Sequence, residues 1–456
     1  MSLPNFLVAS AIFVLGIRAR AVEKDGLTTP SAPASLEAPA DIPIADYTLT
    51  LSKIPLTESL TNFHRSLSAD SLRTRGLQPA YAPGQTVHLY RVSQGSQYAA
   101  DVTWGNQTVG MLIDSGSADA WVAEAGFVCH DFNSKQLAPQ ANCTFGALYN
   151  RTDSLRLIPD SKFNKQYGID LRGEHLQGVM AYETMTMGGL TVQNQEFGLV
   201  NNASWVSGDY KSTGLLGMAY PSRSNALRKN ATGQYVRETY DTFFSNLWKQ
   251  AKIKSNLFSM ILNRNINGTA APIPGYLSFG GVPDVPFTQN FTSTPIQLNK
   301  FFDNTTLTYY MIFLNSLNIN GKKIAGSGGK DVSYMVDSGT STNNVPTVVL
   351  DQIAAAFSPP GKFVLYNAQN PSGGGQYQFL CNATAPLVEF DIEGTLFPIN
   401  KEDLWREDGG ICYLNFADGG DASKTFMMLG TPFLYNVVSV YDVGASMMRF
   451  AQRAYY

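Results

Sequence analysis

Two stretches of this chain run an apolar segment into an aspartate followed by hydroxyl-bearing residues. Met111-Leu112-Ile113 leads into Asp114-Ser115-Gly116-Ser117, and Tyr334-Met335-Val336 leads into Asp337-Ser338-Gly339-Thr340. The copies stand about half the chain apart, and each has a downstream echo: Leu215-Leu216-Gly217 after the first, Met428-Leu429-Gly430 after the second. A lone Asp-Ser-Gly reads as an ordinary turn, but duplication with matching prefixes and echoes implies one site built at the junction of two similar halves. Two carboxylates about 3 Å apart cannot both ionise, so such a pair holds one proton. One member can then act as a base on a water while the other protonates a leaving nitrogen. That chemistry suits attack on an amide without a metal or a covalent intermediate.

Such a pair needs elements that bring it together. An apolar tripeptide ending in Asp-Ser-Gly reads as a short buried strand and a tight turn, with the glycine leaving room for a ligand. The hydroxyls can donate to the carboxylates or brace the opposite turn. Gln97 to Ile113 alternates and predicts a hairpin about Gly105-Asn106 that ends at the first Asp. Leu307 to Val336 repeats the plan, with a turn at Asn320-Gly321 before the second. Many short strands with Gly, Asn and Pro turns make the chain all-β. Two helices are expected. One runs from Thr239 to about Lys252 with Phe243, Phe244, Leu247, Trp248 and Ala251 on one face; the other starts at Pro346 and carries Leu350, Ile353 and Phe357.

At 456 residues, 44% hydrophobic and 15% charged, the chain is long enough for two or three globular domains. A net charge of −3 gives no reason to expect nucleic acid or a polybasic membrane contact, and does not by itself establish an acidic working pH. His64, His88, His130 and His175 show no metal-ligand spacing, so neither metal nor cofactor is expected. The Gly-rich stretches Gly326 to Gly329 and Gly373 to Gly375 carry no phosphate-binding pattern, and no Gly-x-Ser-x-Gly of a serine hydrolase occurs. Four cysteines permit three connectivities; they fall as two local couples, Cys129 with Cys143 and Cys381 with Cys412. Disulfides fit an exported protein.

Phe6 to Ile17 is apolar but too short to span a bilayer, and Ala19-Arg20-Ala21 follows, so residues 1–21 read as a secretory signal despite lacking a basic start. Nine Asn-x-Ser/Thr sites agree with the secretory route, ending in export or, as the alternative, in the vacuole: Asn106, Asn142, Asn150, Asn202, Asn230, Asn267, Asn290, Asn304 and Asn382. No second hydrophobic tail follows Phe450, so no stable membrane or lipid anchor is expected. Val22 to about Asp46 is rich in Pro, Ala and Ser.

On these residues the chain resembles the pepsin-like (family A1) aspartic endopeptidases, of the secreted fungal type and in precursor form. The family motif Asp-Thr/Ser-Gly-Ser/Thr is met twice, and Trp121, Thr213 to Pro221, Asn246-Leu247-Trp248 and Cys381…Cys412 follow in family order. The resemblance covers roughly Gln97 to Phe450. It implies a bilobal β fold, with residues 77–290 as the N-terminal lobe carrying Asp114 and 291–456 as the C-terminal lobe carrying Asp337. Asp114 and Asp337 would form the shared-proton dyad known for that family, with Ser115, Ser117, Ser338 and Thr340 orienting carboxylates and turns. Main-chain groups of Gly116 and Gly339 would hold substrate, and both cysteine couples would pair as disulfides. Phe163 to Gly189 would be the flap, with Tyr167-Gly168 at its active-site end. Protein or peptide substrates, bulky apolar residues around the scissile bond, sensitivity to pepstatin-type inhibitors and a monomeric state follow from the same resemblance.

Leu51-Ser52-Lys53-Ile54-Pro55-Leu56 is similar to the family's prosegment signature. It makes 22–76, or as far as about 86, an inhibitory propeptide whose cationic strip lies over an acidic cleft. Self-cleavage in acid between about Arg75 and Val87 is the expected release.

Three features depart from the family. The tip after Tyr167-Gly168 is Ile169-Asp170-Leu171-Arg172, and the flap is about four residues longer. Ala118 replaces a serine. Thr213, and Thr431 with Pro432, stand where aspartates are usual. These changes keep a second reading open: an aspartic-protease fold that no longer cuts and instead binds or inhibits another exported protein.

Overall fold

The computed structural model describes residues 47–51, 88–92, 97–168, 173–264, 274–283, 287, 290–302, 305–366 and 374–453. The expected signal, most of the expected propeptide, the flap tip 169–172, and Asn267 and Asn304 lie outside these residues. So does Gly373 of the second Gly-rich stretch. Among the described residues strands predominate, in sheets of 18, 5, 4 and 4 members, with three short α-helices.

The first expected hairpin is present. Gln97–Trp104 pairs antiparallel with Gln107–Asp114 across Gly105-Asn106. Alternation gives way to continuous burial over its last six residues, Val109 to Asp114, because both faces of that strand end are covered. The strand Ser212–Gly217 lies parallel beside it, with Leu216 opposite Ile113 and Gly217 opposite Asp114. The second half repeats the pairing but not the tight turn. Met311–Phe313 pairs with Ser333–Val336, which in turn carries Met427–Leu429 in parallel, Leu429 opposite Val336, whereas the expected turn at Asn320-Gly321 joins Ser316–Ile319 to Lys322–Lys323 in a separate sheet. The two downstream echoes are therefore the strands that flank each Asp-Ser-Gly turn.

Trp104 and Trp121 anchor the packing of the first half. Both are fully buried, Trp104 against Phe197 and Trp121 against Trp205. Burying a ring of this size contributes several kcal/mol at about 25 cal/mol per Å². The 18-stranded sheet also takes in Val437–Asp442 and Met447–Gln452 near the end of the described chain, where Leu257–Leu262 pairs with Val437–Asp442. Tyr47–Leu51 enters the same sheet, antiparallel to Gly275–Phe279 over five residues and parallel to His88–Val92.

The helices differ in detail from expectation. The first is only Phe243–Lys249, capped by the Thr242 hydroxyl, which accepts from the Ser245 N–H at 3.3 Å. Phe243, Phe244 and Leu247 are buried, but Trp248 is 44% exposed and is not part of that face. At about 100° per residue it falls a quarter-turn from the centre of the stripe set by Phe243, Phe244 and Leu247, at its solvent edge. The second helix, Thr347–Ala355, begins just after Pro346 and buries Leu350 and Ile353. A third, Thr431–Leu434, follows Gly430 and was not foreseen. Among the described residues no helix is long and apolar enough to cross a membrane.

Both local cysteine couples are bonded, Cys129–Cys143 and Cys381–Cys412. Of the glycosylation candidates, Asn106, Asn142, Asn150, Asn230, Asn290 and Asn382 are exposed and Asn202 is half-buried.

Candidate active site

The two Asp-Ser-Gly turns meet. The Ser115 N–H donates to the Ser338 hydroxyl at 3.1 Å, and the Ser338 N–H donates to the Ser115 hydroxyl at 2.9 Å. Each hydroxyl then donates at 3.0 Å to the other half, Ser115 to the Val336 carbonyl and Ser338 to the Ile113 carbonyl. Four crossed bonds, all buried, clamp the turns together, and buried bonds of this kind are costly to break.

The carboxylates are held with the same symmetry. The Gly116 N–H donates to Asp114 Oδ1 and the Gly339 N–H to Asp337 Oδ1, both at 2.8 Å. The Ser117 hydroxyl donates to Asp114 Oδ2, and the Thr340 hydroxyl to Asp337 Oδ2, both at 2.5 Å. The carboxyls also hydrogen-bond each other. Glycine is required at both turns by this approach: a Cβ on Gly116 would lie 2.5 Å from Asp337 Oδ1, and one on Gly339 2.5 Å from Asp114 Oδ1. Burial pushes both carboxyls above the usual carboxylate range, reinforced at Asp114 by the neighbouring Asp337 charge. Such a pair retains one proton in acid and titrates as a unit.

A pocket opens beside Asp114, lined by Tyr98, Leu112, Ile113, Tyr167, Trp205 and Leu215. Its flap side is the hairpin of Ser161–Tyr167 with Glu174–Met187, in register Phe163 to Gly178 and Tyr167 to Glu174. Tyr167 is buried, and its hydroxyl accepts from Trp121 Nε1 at 2.9 Å. Gly168 follows at φ +87°, a conformation that suits glycine. The Gly339 carbonyl accepts from Gln97 Nε2 at 3.0 Å, which leaves its second lone pair for a substrate N–H.

Two carboxyl groups close to the site escaped the sequence reading. Glu174 lines the pocket, its Oε1 accepting from the Val206 and Ser207 N–H groups at 2.8 and 2.9 Å, and burial pushes it up to about 7. Asp119, five residues beyond Asp114, is fully buried and accepts from Lys165, Tyr240 and the Asn225 N–H. The signal was an aspartate interrupting an apolar run, because a buried charge needs partners. The substituted positions are filled without strain. Ala118 packs against Tyr309, Met311 and Met335, the Thr213 hydroxyl donates to the Ala147 carbonyl, and the Thr431 N–H donates to the Thr340 carbonyl.

The sequence profile of the family described as "Eukaryotic aspartyl protease" matches residues 97–453. A probable aspartic-type endopeptidase of Aspergillus fumigatus is 33% identical over 446 residues, covering 94% of this chain and 92% of the relative. Secreted aspartic protease 8 of Candida albicans is 26% identical over 380 residues, 83% of this chain and 80% of that one. The crystal structure of an aspartic proteinase from Irpex lacteus superposes with a TM-score of 0.59 at 19% identity, covering 79% of this chain and 95% of that one. With twin Asp turns set at the junction of a bilobal, pepsin-like β fold, the chain belongs to the eukaryotic aspartyl proteases.

Proposed function

We propose that the protein is a secreted aspartic endopeptidase, made as a zymogen and working in acid. The observation that carries this reading is the hydrogen-bonded pair Asp114 and Asp337, buried and held by mirrored donors. A water between the carboxyls loses a proton to the ionised one as its oxygen attacks the peptide carbonyl, while the protonated one hydrogen-bonds the developing oxyanion. Collapse of the tetrahedral intermediate breaks the C–N bond as a carboxyl proton passes to the nitrogen. The dyad ends with the single proton it began with. Ser117 and Thr340 orient the carboxylates, Ser115 and Ser338 hold the turns, and Gly116 and Gly339 offer main-chain groups to an extended substrate. Tyr167 and Gly168 close over it and exclude water.

The aromatic and aliphatic wall beside Asp114 supports a preference for bulky apolar side chains next to the scissile bond. Tyr47–Leu51, seated as a strand against Gly275–Phe279, supports a prosegment that folds with the body of the enzyme. Export is supported by the names of the Candida relatives, the two disulfides and the exposed glycosylation candidates.

The test is hydrolysis of an unfolded protein at acid pH, with and without pepstatin. Cleavage between internal residues that pepstatin abolishes supports the reading. Activity confined to neutral pH and blocked by chelator contradicts it. Stoichiometric pepstatin binding without cleavage would favour the binding-protein alternative.

A further inference from the structure

Asp119 and Lys165 form an ion pair that the chemistry described above does not use. The Asp119 carboxylate is fully buried, the Lys165 side chain is 11% exposed, and Nζ lies 2.5 Å from Oδ2. Lys165 belongs to the first flap strand, two residues before Tyr167. Asp119 stands two residues before Trp121, whose Nε1 donates to the Tyr167 hydroxyl. The contacts are thus two rungs of one ladder, and both join residues 46 apart in sequence.

The other carboxylate oxygen of Asp119 gathers a separate element. It accepts from the Asn225 N–H at 2.8 Å and from the Tyr240 hydroxyl at 2.9 Å, at the two ends of the hairpin formed by Ala226–Lys229 and Tyr235–Glu238. That hairpin pairs with the flap itself, Ala226 opposite Phe163 and Arg228 opposite Ser161. Its base is closed by the Ser224 hydroxyl, which donates to the Tyr240 carbonyl and accepts the Tyr240 N–H. The Asp119 carbonyl accepts from the Gly217 N–H, on the strand that flanks Asp114.

We propose that Asp119, through Lys165, is a positioning residue that ties the flap and its bracing hairpin to the catalytic turn. This inference rests on the proteolytic reading of the site. The tie sets where Tyr167 stands relative to Asp114. A cation is needed because a buried carboxylate with only neutral donors is poorly compensated. Misplacing a group that closes over the reacting bond by about 1 Å is enough to slow the chemistry many-fold.

The test uses mature enzyme whose active sites are counted with pepstatin. In Lys165→Met, kcat per titrated site is expected to fall about tenfold with KM within about threefold. Lys165→Arg, which keeps the charge, should recover to within about threefold of wild type. Tyr240→Phe, which removes one donor and leaves the ion pair, should fall by about twofold and serves if Lys165→Met does not fold. In a Tyr167→Phe background, Lys165→Met should add less than about twofold, because the tie acts through Tyr167. Unchanged kcat per site in Lys165→Met, or in Tyr240→Phe where that variant stands in, would overturn the inference. So would full multiplication of the Lys165 and Tyr167 effects. If wild type binds pepstatin yet does not cleave, the proteolytic reading has failed instead. Amide hydrogen exchange over Phe163–Tyr167 then decides: faster exchange in the variant supports the tie, unchanged exchange removes it.

Discussion

The two Asp-Ser-Gly turns are near copies, yet the residues immediately beyond them do different things. Each Asp accepts one main-chain N–H at 2.8 Å and one hydroxyl at 2.5 Å. Five and seven residues past Asp114 stand Asp119 and Trp121, which reach across to Lys165 and Tyr167 of the flap. At the same offsets past Asp337 stand Thr342 and Asn344, which hydrogen-bond to each other at 2.8 Å. The cradle of the carboxylates is duplicated; the link from Asp to flap is built on the first half alone. Chemistry that needs two equal acids constrains the cradle symmetrically, whereas covering a substrate from one side needs only one lid.

If the cradle is symmetric in function, Asp114→Asn and Asp337→Asn should each lower kcat by at least about 10⁴-fold, because residues acting as a unit fail together. A variant of either Asp that keeps a tenth of wild-type turnover would break the comparison. Tyr167→Phe belongs to the asymmetric part. It removes the acceptor of the Trp121 N–H, and turnover should drop about tenfold with unfolding by denaturant little changed. Smaller still, Ser115→Ala and Ser338→Ala should each destabilise the fold by about 2 kcal/mol, since each leaves a buried N–H and a carbonyl without partners. Chemical denaturation should give values for the two that agree within about 0.5 kcal/mol; a wider gap would show that the mirrored bonds are not equivalent.

The smallest effect concerns acid. Burial raises Glu174 to about 7 and Asp403 to about 6, both above the usual range of an unfolded chain, so the folded state binds their protons more tightly. Their contribution is therefore fully present below about pH 4 and is lost as pH rises through 6 to 7. The melting temperature should be a few degrees higher at pH 5 than at pH 7.5, and Glu174→Gln should flatten that difference.

Much of this was legible in the chain because the signals are local and repeated. The hairpin about Gly105-Asn106 turns on two adjacent residues and the Asp turn recurs in the second half, while the cysteine pairs, 14 and 31 residues apart, were implied by the family resemblance. What was not legible depends on distant partners. Asp119 shows only as a charge in an apolar run; its three donors come from Lys165, Asn225 and Tyr240, at separations no periodicity marks. The bracing hairpin over Ala226–Glu238 was missed because its strands have four residues each and Tyr235–Glu238 is exposed throughout, so no buried face sets a period-2 pattern. Trp248 was misplaced because a helix of about two turns carries too few apolar positions for the edge of its stripe to be read from spacing.

Whether the two carboxyls from sister turns share one proton is read from the pH dependence of kcat/KM per pepstatin-titrated site. A shared proton gives a bell on the acid side of neutrality, its rising limb the loss of the first proton from the pair and its falling limb the loss of the second. Asp337→Asn should abolish the bell rather than shift it. A single-limbed profile that rises to a plateau above neutral pH, or a bell that survives in Asp337→Asn, would rule out the shared proton.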